Sequence, residues 1–270
     1  MPDADGSQPA AELATFLEAT VREAGELALK TFRGPLKQWL KGASSPVCEA
    51  DIAVDLMLRD RLTGNTSRYG WLSEETEDDP ARLDAESIWI VDPIDGTRSY
   101  LAGLPDWVVS VALATAGRPV VAAIFAPVTD ELFIATAGSG ATRNEEQIAA
   151  SAGEGFDGAR FAGPKGRLNR LVAIAPRIEA APRIGSLALR LARVATGELD
   201  GALAAPNSHD WDLAAADLLV HEAGGALTTL AGRSLIYNRP EPVHGALVAA
   251  GRGRHAKLIE LLGNRRAEFA

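Results

Sequence analysis

The sequence predicts a layered α/β protein of two lobes: a sheet-forming meander with helices ahead of it, then a lobe in which strands and helices alternate. Three observations carry this. Apolar runs of strand length, separated by turns rich in Gly, Pro and Asp, follow one another from Ser87 to Ala135. Two segments of helical periodicity precede them. Beyond Gly158, strand-like and helix-like segments alternate to the end of the chain.

Each element follows from its local pattern. Leu13, Phe16, Leu17, Val21, Ala24, Leu27 and Phe32 repeat at helical spacing, so 11–33 reads as an amphipathic helix ended by Gly34-Pro35. Gln38–Lys41 reads as a short strand and Gly42–Pro46 as a loop. A second helix spans Glu49–Leu62, with Ile52, Leu56, Arg59 and Leu62 on adjoining turns. Asp51 falls in its first turn, on the same face as Asp55. Ser87–Val91 alternates Ile88 and Ile90 with Trp89 and Val91. Pro93 is expected to stop that strand, because it has no N–H to give the ladder. Trp107–Thr115, Val120–Phe125 and Glu131–Ala135 follow as strands, with turns at Gly117–Pro119 and Pro127–Asp130.

The Gly-rich stretch Gly138–Gly158 marks a boundary. It separates an N-terminal α+β lobe (11–150) from a C-terminal α/β lobe (151–270), with 1–10 as a disordered lead-in. In the second lobe, Leu171–Ala175 reads as a strand and Ser186–Thr196 as a helix stopped by Gly197. Gly201–Ala205 is a strand, and Trp211–Ala223 a helix ended by Gly224-Gly225. Ala226–Leu230 and Ala246–Ala249 are strands, and His255–Leu262 is a closing helix capped by Gly263.

Composition narrows the function. The chain has 270 residues and a net charge of -9, with 47% hydrophobic residues. Without a basic run, it is not expected to bind a nucleic-acid polymer. No stretch has the ~18 apolar residues of a membrane span, and Met1–Ala10 has no signal-peptide pattern, so a cytoplasmic location is expected. Cys48 is the only cysteine. That excludes a disulfide framework and a Cys-based zinc site, and Cys48 itself reads as a packed small side chain.

The chemistry concentrates in Trp89-Ile-Val-Asp-Pro-Ile-Asp-Gly-Thr97, which places Asp92 and Asp95 three residues apart at the end of a strand. On its own, D-P-x-D-G-T reads equally well as a turn. Two close carboxylates repel unless a cation lies between them, and hard oxygen ligands suit Mg²⁺, Mn²⁺ or Ca²⁺ better than zinc. The N–H groups of Gly96 and Thr97 are placed to face an anion. Further acids stand at Asp51, at Glu74 in Ser73-Glu-Glu75, and at Asp212 in His209-Asp-Trp-Asp-Leu-Ala-Ala215. Taken alone, Asp212 reads as a helix cap and Glu74 and Glu75 as solvated loop charges.

Together these segments resemble the inositol monophosphatase superfamily. The matching pieces are Ser45-Pro-Val-Cys-Glu-Ala-Asp51, Ser73-Glu-Glu75, Trp89–Thr97, and Trp211-Asp-Leu-Ala-Ala215 followed by Glu222-Ala-Gly-Gly225. The resemblance runs from about Leu13 to Leu262. It implies an αβαβα sandwich with the site between the lobes, and a Mg²⁺-dependent phosphomonoesterase with two or three ions, for which Mn²⁺ substitutes. It implies Glu74, Asp92 and the carbonyl of Ile94 as ligands of one ion, and Asp92, Asp95 and Asp212 as ligands of a second. A third, looser ion leans on Glu74. Asp51 and Thr97 resemble the pair that orients and deprotonates the attacking water, and the N–H groups of Gly96 and Thr97 resemble the phosphate cradle. Gly185, Ser186, His209 and Asp212 are carried over as substrate-side positions. Lithium sensitivity and a homodimer are implied in the same way.

The substrate is less sharply marked. Members that act on inositol phosphate usually place a glutamate seven residues before the W-D-x-A-A aspartate; this chain has Ala205, which makes no such hydrogen bond. The runs Gly201–Asp212 and Gly96–Trp107 look more like the bacterial CysQ-type 3'(2'),5'-bisphosphate nucleotidases. The expected substrate is therefore 3'-phosphoadenosine 5'-phosphate, with inositol 1-phosphate or another sugar or histidinol phosphate as the alternative. Arg98, Lys165, Arg167, Arg177 and Arg183 are candidates to meet a second phosphate. The segment Phe161–Lys165 departs from the family's V-S-x-S stretch.

Overall fold

The computed structural model describes residues 10–41, 45–66 and 68–269. The lead-in expected at 1–10 lies outside these residues except for Ala10, which opens the first helix. In chain order, the first lobe comprises α1 (Ala10–Leu29), β1 (Gln38–Lys41), β2 (Ser45–Cys48), α2 (Glu49–Asn65), β3 (Gly70–Ser73), β4 (Ser87–Asp95) and α3 (Thr97–Leu101). There follow β5 (Val108–Thr115), β6 (Arg118–Ala126), β7 (Glu131–Thr136), β8 (Gly140–Arg143) and β9 (Glu146–Gln147). The strands β3 to β9 form one sheet in sequence order; β3 and β4 are parallel and every later pair is antiparallel.

Beyond it come β10 (Arg160–Ala162), α4 (Lys165–Ile174), β11 (Glu179–Ala180), α5 (Leu187–Ala195), β12 (Gly201–Ala204), β13 (Ser208–His209) and α6 (Asp210–Glu222). The chain continues through β14 (Gly225–Thr229), β15 (Val243–His244), β16 (Leu247–Gly251), α7 (Arg252–Leu262) and α8 (Arg266–Phe269). A second sheet has the order β11-β10-β12-β16-β14.

Three apolar clusters define the layers. Trp89, Val91, Val109, Val111 and Phe125 on one face of the first sheet bury Leu17, Val21, Val54 and Leu58 of α1 and α2. Ile88, Ile90, Ala112 and Ile124 on the opposite face pack on α5 and α6, which also touch Ala202, Leu227 and Ala249 of the second sheet. Leu203 and Val248 on that sheet's outer face meet Leu168, Leu171, Leu258 and Leu262 of α4 and α7. The result is the αβαβα sandwich expected from the resemblance. The alternation read along β4 assigns Ile88 and Trp89 to opposite layers, as a period of two requires.

Four local readings need correction. The strand β4 does not stop at Pro93; it runs to Asp95. The ladder to β5 shifts register between Asp92 and Asp95, and Pro93 sits in that bulge, where its missing N–H costs no pairing. Leu171–Ala175 is the end of α4 and Ala175 its cap, not a strand. A five-residue apolar run is ambiguous in period, and Leu168 with Leu171 buries one helical face. The stretch Gly138–Gly158 is not all linker, because β8 and β9 extend the first sheet through it. Of the loop expected at Gly42–Pro46, residues 42–44 lie outside the described ones, and Ser45 and Pro46 pair with Lys41 and Leu40. The strand β3, not recognised from its four residues, carries Glu74 at its exit. No helix among the described residues is long and apolar enough to cross a membrane.

Gly25 shows how tightly α1 sits on the sheet. A Cβ there would come within 2.5 Å of the Phe125 ring and 2.7 Å of Pro127 Cγ. Alanine is favoured over glycine by ~1 kcal/mol within a helix, but overpacking costs ~1–3 kcal/mol. Gly25→Ala is therefore expected to lower stability by ~1 kcal/mol in urea unfolding; a stabilised variant would show that the helix is free to shift outward.

Candidate active site

Two helices present their carboxylates in the same way. Asp51 is the third residue of α2, and its Oδ2 accepts the N–H of Cys48 at 2.8 Å. Asp212 is the third residue of α6, and its Oδ2 accepts the N–H of His209 at 2.6 Å. Each side chain closes the helix's first turn through one oxygen, which fixes the direction of the other. The cap reading and the site reading of Asp212 are both realised. The Cys48 thiol also reaches Asp51 Oδ2, at 2.8 Å, and burial pushes this thiol up to about 12, so it stays protonated and donates. Asp51 Oδ1 accepts from Thr97 Oγ1 at 3.3 Å, and the same hydroxyl lies 3.1 Å from the Ile94 carbonyl.

The bulge in β4 turns Asp92 and Asp95 inward. Oxygens of Asp92, Asp95 and Asp212 lie within 4.8 Å of one another. Asp92 Oδ1 accepts the Ile94 N–H at 3.1 Å, while its buried Oδ2 has no hydrogen-bond partner among the described residues. Asp95 Oδ2 accepts from Ser186 Oγ and from the Ala188 N–H, each at 2.6 Å. Gly96, with φ 96°, makes the turn into α3; a Cβ there would press to 3.0 Å from the Asp106 carbonyl. A cleft of about 230 Å³ opens over the cluster, lined by Glu74, Asp92, Asp95, Gly96, Thr97, Arg98, Arg183, Gly185 and Asp212, with Pro46 and Ser99.

The loop that bears Glu74 is fixed from below. Ser73 Oγ and Thr76 Oγ1 donate to the buried Asp55, the latter at 2.7 Å, so Asp55 holds the segment on both sides of Glu74. Lys41 Nζ donates to the Glu74 carbonyl and lies 3.6 Å from Glu75 Oε2. Glu74 thus lines the cleft and the Glu75 side chain lies buried beside Lys41, so neither is a freely solvated charge.

Burial is the first cause of every carboxyl shift in the cleft. It raises Glu74 to about 8, with Asp212, Glu75 and Asp95 adding repulsion. It raises Asp212 to about 7, with Asp95 next. Asp92 rises well above the usual range through burial and then through Glu74, Asp95 and Asp212. Asp95 rises as well, moderated by its bonds to Ser186 and Ala188. A divalent cation removes this penalty, and the all-oxygen set with an unpartnered buried Asp92 Oδ2 fits Mg²⁺.

The structure brings Asp51, Glu74, Asp92, Asp95, Thr97 and Asp212 together, with Gly96 and Gly185 on the wall. One substrate-side expectation needs correction. Ser186 is fully buried and caps α5, with its hydroxyl on Asp95 and accepting the Leu189 N–H at 2.9 Å; it steadies a cluster carboxylate and does not reach the cleft. His209 lies close to Asp212, as expected, with its Nδ1 3.9 Å from Asp212 Oδ2, and its ring stacks on Trp211 at 4.5 Å. Of the five candidate cations, Arg98 and Arg183 line the cleft. Arg177 pairs with Asp157, Arg167 donates to the Phe269 carbonyl, and Lys165 begins α4 away from the lining. Sequence reading missed Asp106, which holds the Gly185 N–H, and Asp210, buried at the start of α6. The acidic helix start at Asp210 was the only signal for the latter.

Comparison with known proteins accords with this geometry. The family model described as "Inositol monophosphatase family" matches residues 10–266. The chain is 34% identical over 233 residues to an inositol-1-monophosphatase of Rhizobium meliloti, covering 82% of this chain and 83% of that protein. It is 32% identical over 222 residues to the Nus factor SuhB of Escherichia coli, covering 78% and 82%. Among solved structures, the extragenic suppressor protein suhB of Bartonella henselae superposes with a TM-score of 0.84 at 30% identity, over 93% of this chain and 98% of that one.

The carboxyl shifts predict a pH-dependent stability for the metal-free protein. Between the ordinary glutamate value of 4.5 and the folded value of about 8, the unfolded chain has lost the Glu74 proton and the folded one keeps it. Stability without metal therefore falls as pH rises through this window, and Mg²⁺ is expected to raise Tm more at pH 8 than at pH 6. Thermal melts with Mg²⁺ and with EDTA check this; an equal Mg²⁺ effect at both pH values would contradict it.

Proposed function

This chain belongs to the inositol monophosphatase family, a family of metal-dependent phosphatases, and from that premise we propose that it hydrolyses a small phosphate monoester, with inositol 1-phosphate the substrate to try first. The observation that carries the reading is the convergence of Asp92, Asp95 and Asp212 within 4.8 Å, beside the Asp51–Thr97 pair. Asp92, Asp95, Asp212 and Glu74, with the Ile94 carbonyl, are the groups that would hold Mg²⁺. Bound there, the ion supplies positive charge against the phosphate and the developing leaving oxygen.

The chain's own groups do the remainder. Thr97 Oγ1 orients the attacking water and passes its proton toward Asp51 Oδ1 as the water oxygen bonds to phosphorus and the ester P–O bond breaks. The leaving oxygen takes a proton from solvent. Asp51 suits this role because burial raises its proton affinity, while the Cys48 and Thr97 donors moderate the rise. The rigid turn at Gly96 brings the Gly96 and Thr97 backbone to the cleft wall, where phosphate oxygens are expected.

The names of the relatives support inositol 1-phosphate. A second reading, 3'-phosphoadenosine 5'-phosphate, is favoured by a specific observation: Arg98 and Arg183 line the cleft, where a second phosphate would need a cation. Ala205 favours it too, since its side chain offers a polyol no hydrogen bond.

Phosphate release from the two substrates, with Mg²⁺ and with EDTA, tests both. Activity is expected only with Mg²⁺, and a preference of ~100-fold, about 2.7 kcal/mol of transition-state binding, decides the substrate. Asp95→Asn and Asp212→Asn are expected to cut turnover by ~10³-fold or more while the fold survives by circular dichroism. Wild-type activity in either variant would remove that residue from the metal set.

A further inference from the structure

Asp210 is fully buried two residues before Asp212, and the chemistry above does not use it. Its two oxygens are taken separately. Oδ1 lies 2.7 Å from His244 Nε2, and Oδ2 accepts the Asn238 N–H at 2.7 Å. A carboxylate only accepts, so His244 carries its proton on Nε2. The backbone doubles the grip. The Asp210 N–H donates to the Pro242 carbonyl at 3.0 Å, and β13 pairs with β15 through Ser208 with His244 and His209 with Val243. The first turn of α6, which aims Asp212, is therefore anchored to the 238–244 segment.

That segment is tied in turn to the first lobe. Arg82 lies between β3 and β4, in the connection that separates Glu74 from Asp92, and its side chain is 1% exposed. Its guanidinium holds Asp78 through two bonds, of 2.5 and 2.9 Å, and donates to Asn238 Oδ1 at 2.6 Å and to the Arg239 carbonyl at 3.1 Å. Asn238 Nδ2 returns a bond to the Arg82 carbonyl at 3.2 Å. Asn238 adopts φ 56°, a left-handed conformation that asparagine tolerates better than most residues, and this conformation presents its N–H to Asp210. A continuous polar chain thus runs Asp78–Arg82–Asn238–Asp210–His244, from the lobe bearing Glu74 and Asp92 to the helix bearing Asp212.

We propose that Asp210, gripped by His244 and Asn238, is a positioning residue that holds Asp212 in the carboxylate cluster, and that the Arg82–Asn238 tie keeps the two lobes in register across the metal site. Once ionised, the three cluster carboxylates repel one another when no cation lies between them. A restraint on α6 is what keeps Asp212 from swinging away, so metal binding does not have to reassemble the site. The inference rests on the reading of the cluster as a divalent-cation site, and not on the identity of the substrate.

Mn²⁺ binding to the full chain, followed by electron paramagnetic resonance, tests it alongside kcat, KM and urea unfolding. Asp210→Asn is expected to weaken Mn²⁺ binding, and to raise the Mg²⁺ needed for half-maximal activity, by ~10-fold or more, with substrate KM at saturating Mg²⁺ changed by less than ~3-fold. His244→Ala is expected to behave in the same way, and His244→Gln, which keeps a donor, to recover most of the affinity. Asn238→Gly preserves the backbone and its N–H but deletes both bonds to Arg82, and is expected to give a smaller loss of the same kind. Wild-type Mn²⁺ affinity in folded Asp210→Asn or His244→Ala would overturn the proposal. So would a loss of stability with Mn²⁺ affinity unchanged, because a purely structural role predicts that. If Asp210→Asn does not fold, the His244 pair decides. If the wild-type protein binds Mn²⁺ but releases no phosphate from any ester, the phosphatase reading fails while the positioning proposal still stands or falls on the Mn²⁺ data.

Discussion

Repulsion among buried carboxylates is the constraint that the rest of this structure accommodates. Asp92 and Asp95 are buried where they meet the partly exposed Asp212; burial raises the proton affinity of each, neighbouring carboxylates add to the rise of Asp92 and Asp212, and hydrogen-bond donors moderate that of Asp95. Such a cluster is costly in isolation and stable only around a cation or as protonated groups. The fold answers with fixed supports: a bulge in β4 for Asp92 and Asp95, the Ser186 hydroxyl and Ala188 N–H for Asp95, and a helix start for Asp212.

The helix starts repeat one solution. A carboxylate at the third position of a helix is held to the N-cap N–H through one oxygen, and the other oxygen is left to chemistry. Asp51 and Asp212 both use it, on helices from opposite lobes. The device suits a site that needs carboxylates aimed to within a fraction of an ångström, since a backbone donor is less mobile than a side-chain one. The cap in α2 is a cysteine, whose protonated thiol adds a second donor to Asp51.

The middle layer explains a feature that looks anomalous in the sequence. In α6, Leu213 to Val220 is buried without interruption, so the helix lacks a polar stripe through its length. It lies between two sheets, packed on β4, β5 and β6 on one side and on β14 and β16 on the other. Small residues, Ala214, Ala215 and Ala216, let both sheets approach. A helix buried from Leu213 to Val220 cannot drift as a body without opening two cores, which leaves only its partly exposed first turn, the one that carries Asp212, to be fixed by local bonds.

The sequence by itself determined which acidic segments are candidates for the chemistry and, through their resemblance, the family. Singly, Asp92, Asp95, Glu74, Asp51 and Asp212 read as turn, loop or helix-cap residues; they were legible together because the segments that carry them resemble the family's in order and spacing. The layer assignment of β4 was legible because a strand's period of two is local. Tertiary structure decided what depends on contacts distant in sequence. The Pro93 bulge exists because β5 lies alongside. Ser186 turns out to hold Asp95, 91 residues away. The tie from Arg82 to Asn238, 156 residues apart, leaves no trace in either local pattern. Periodicity reports which face of an element is buried; only the packed chain reports which group that face meets.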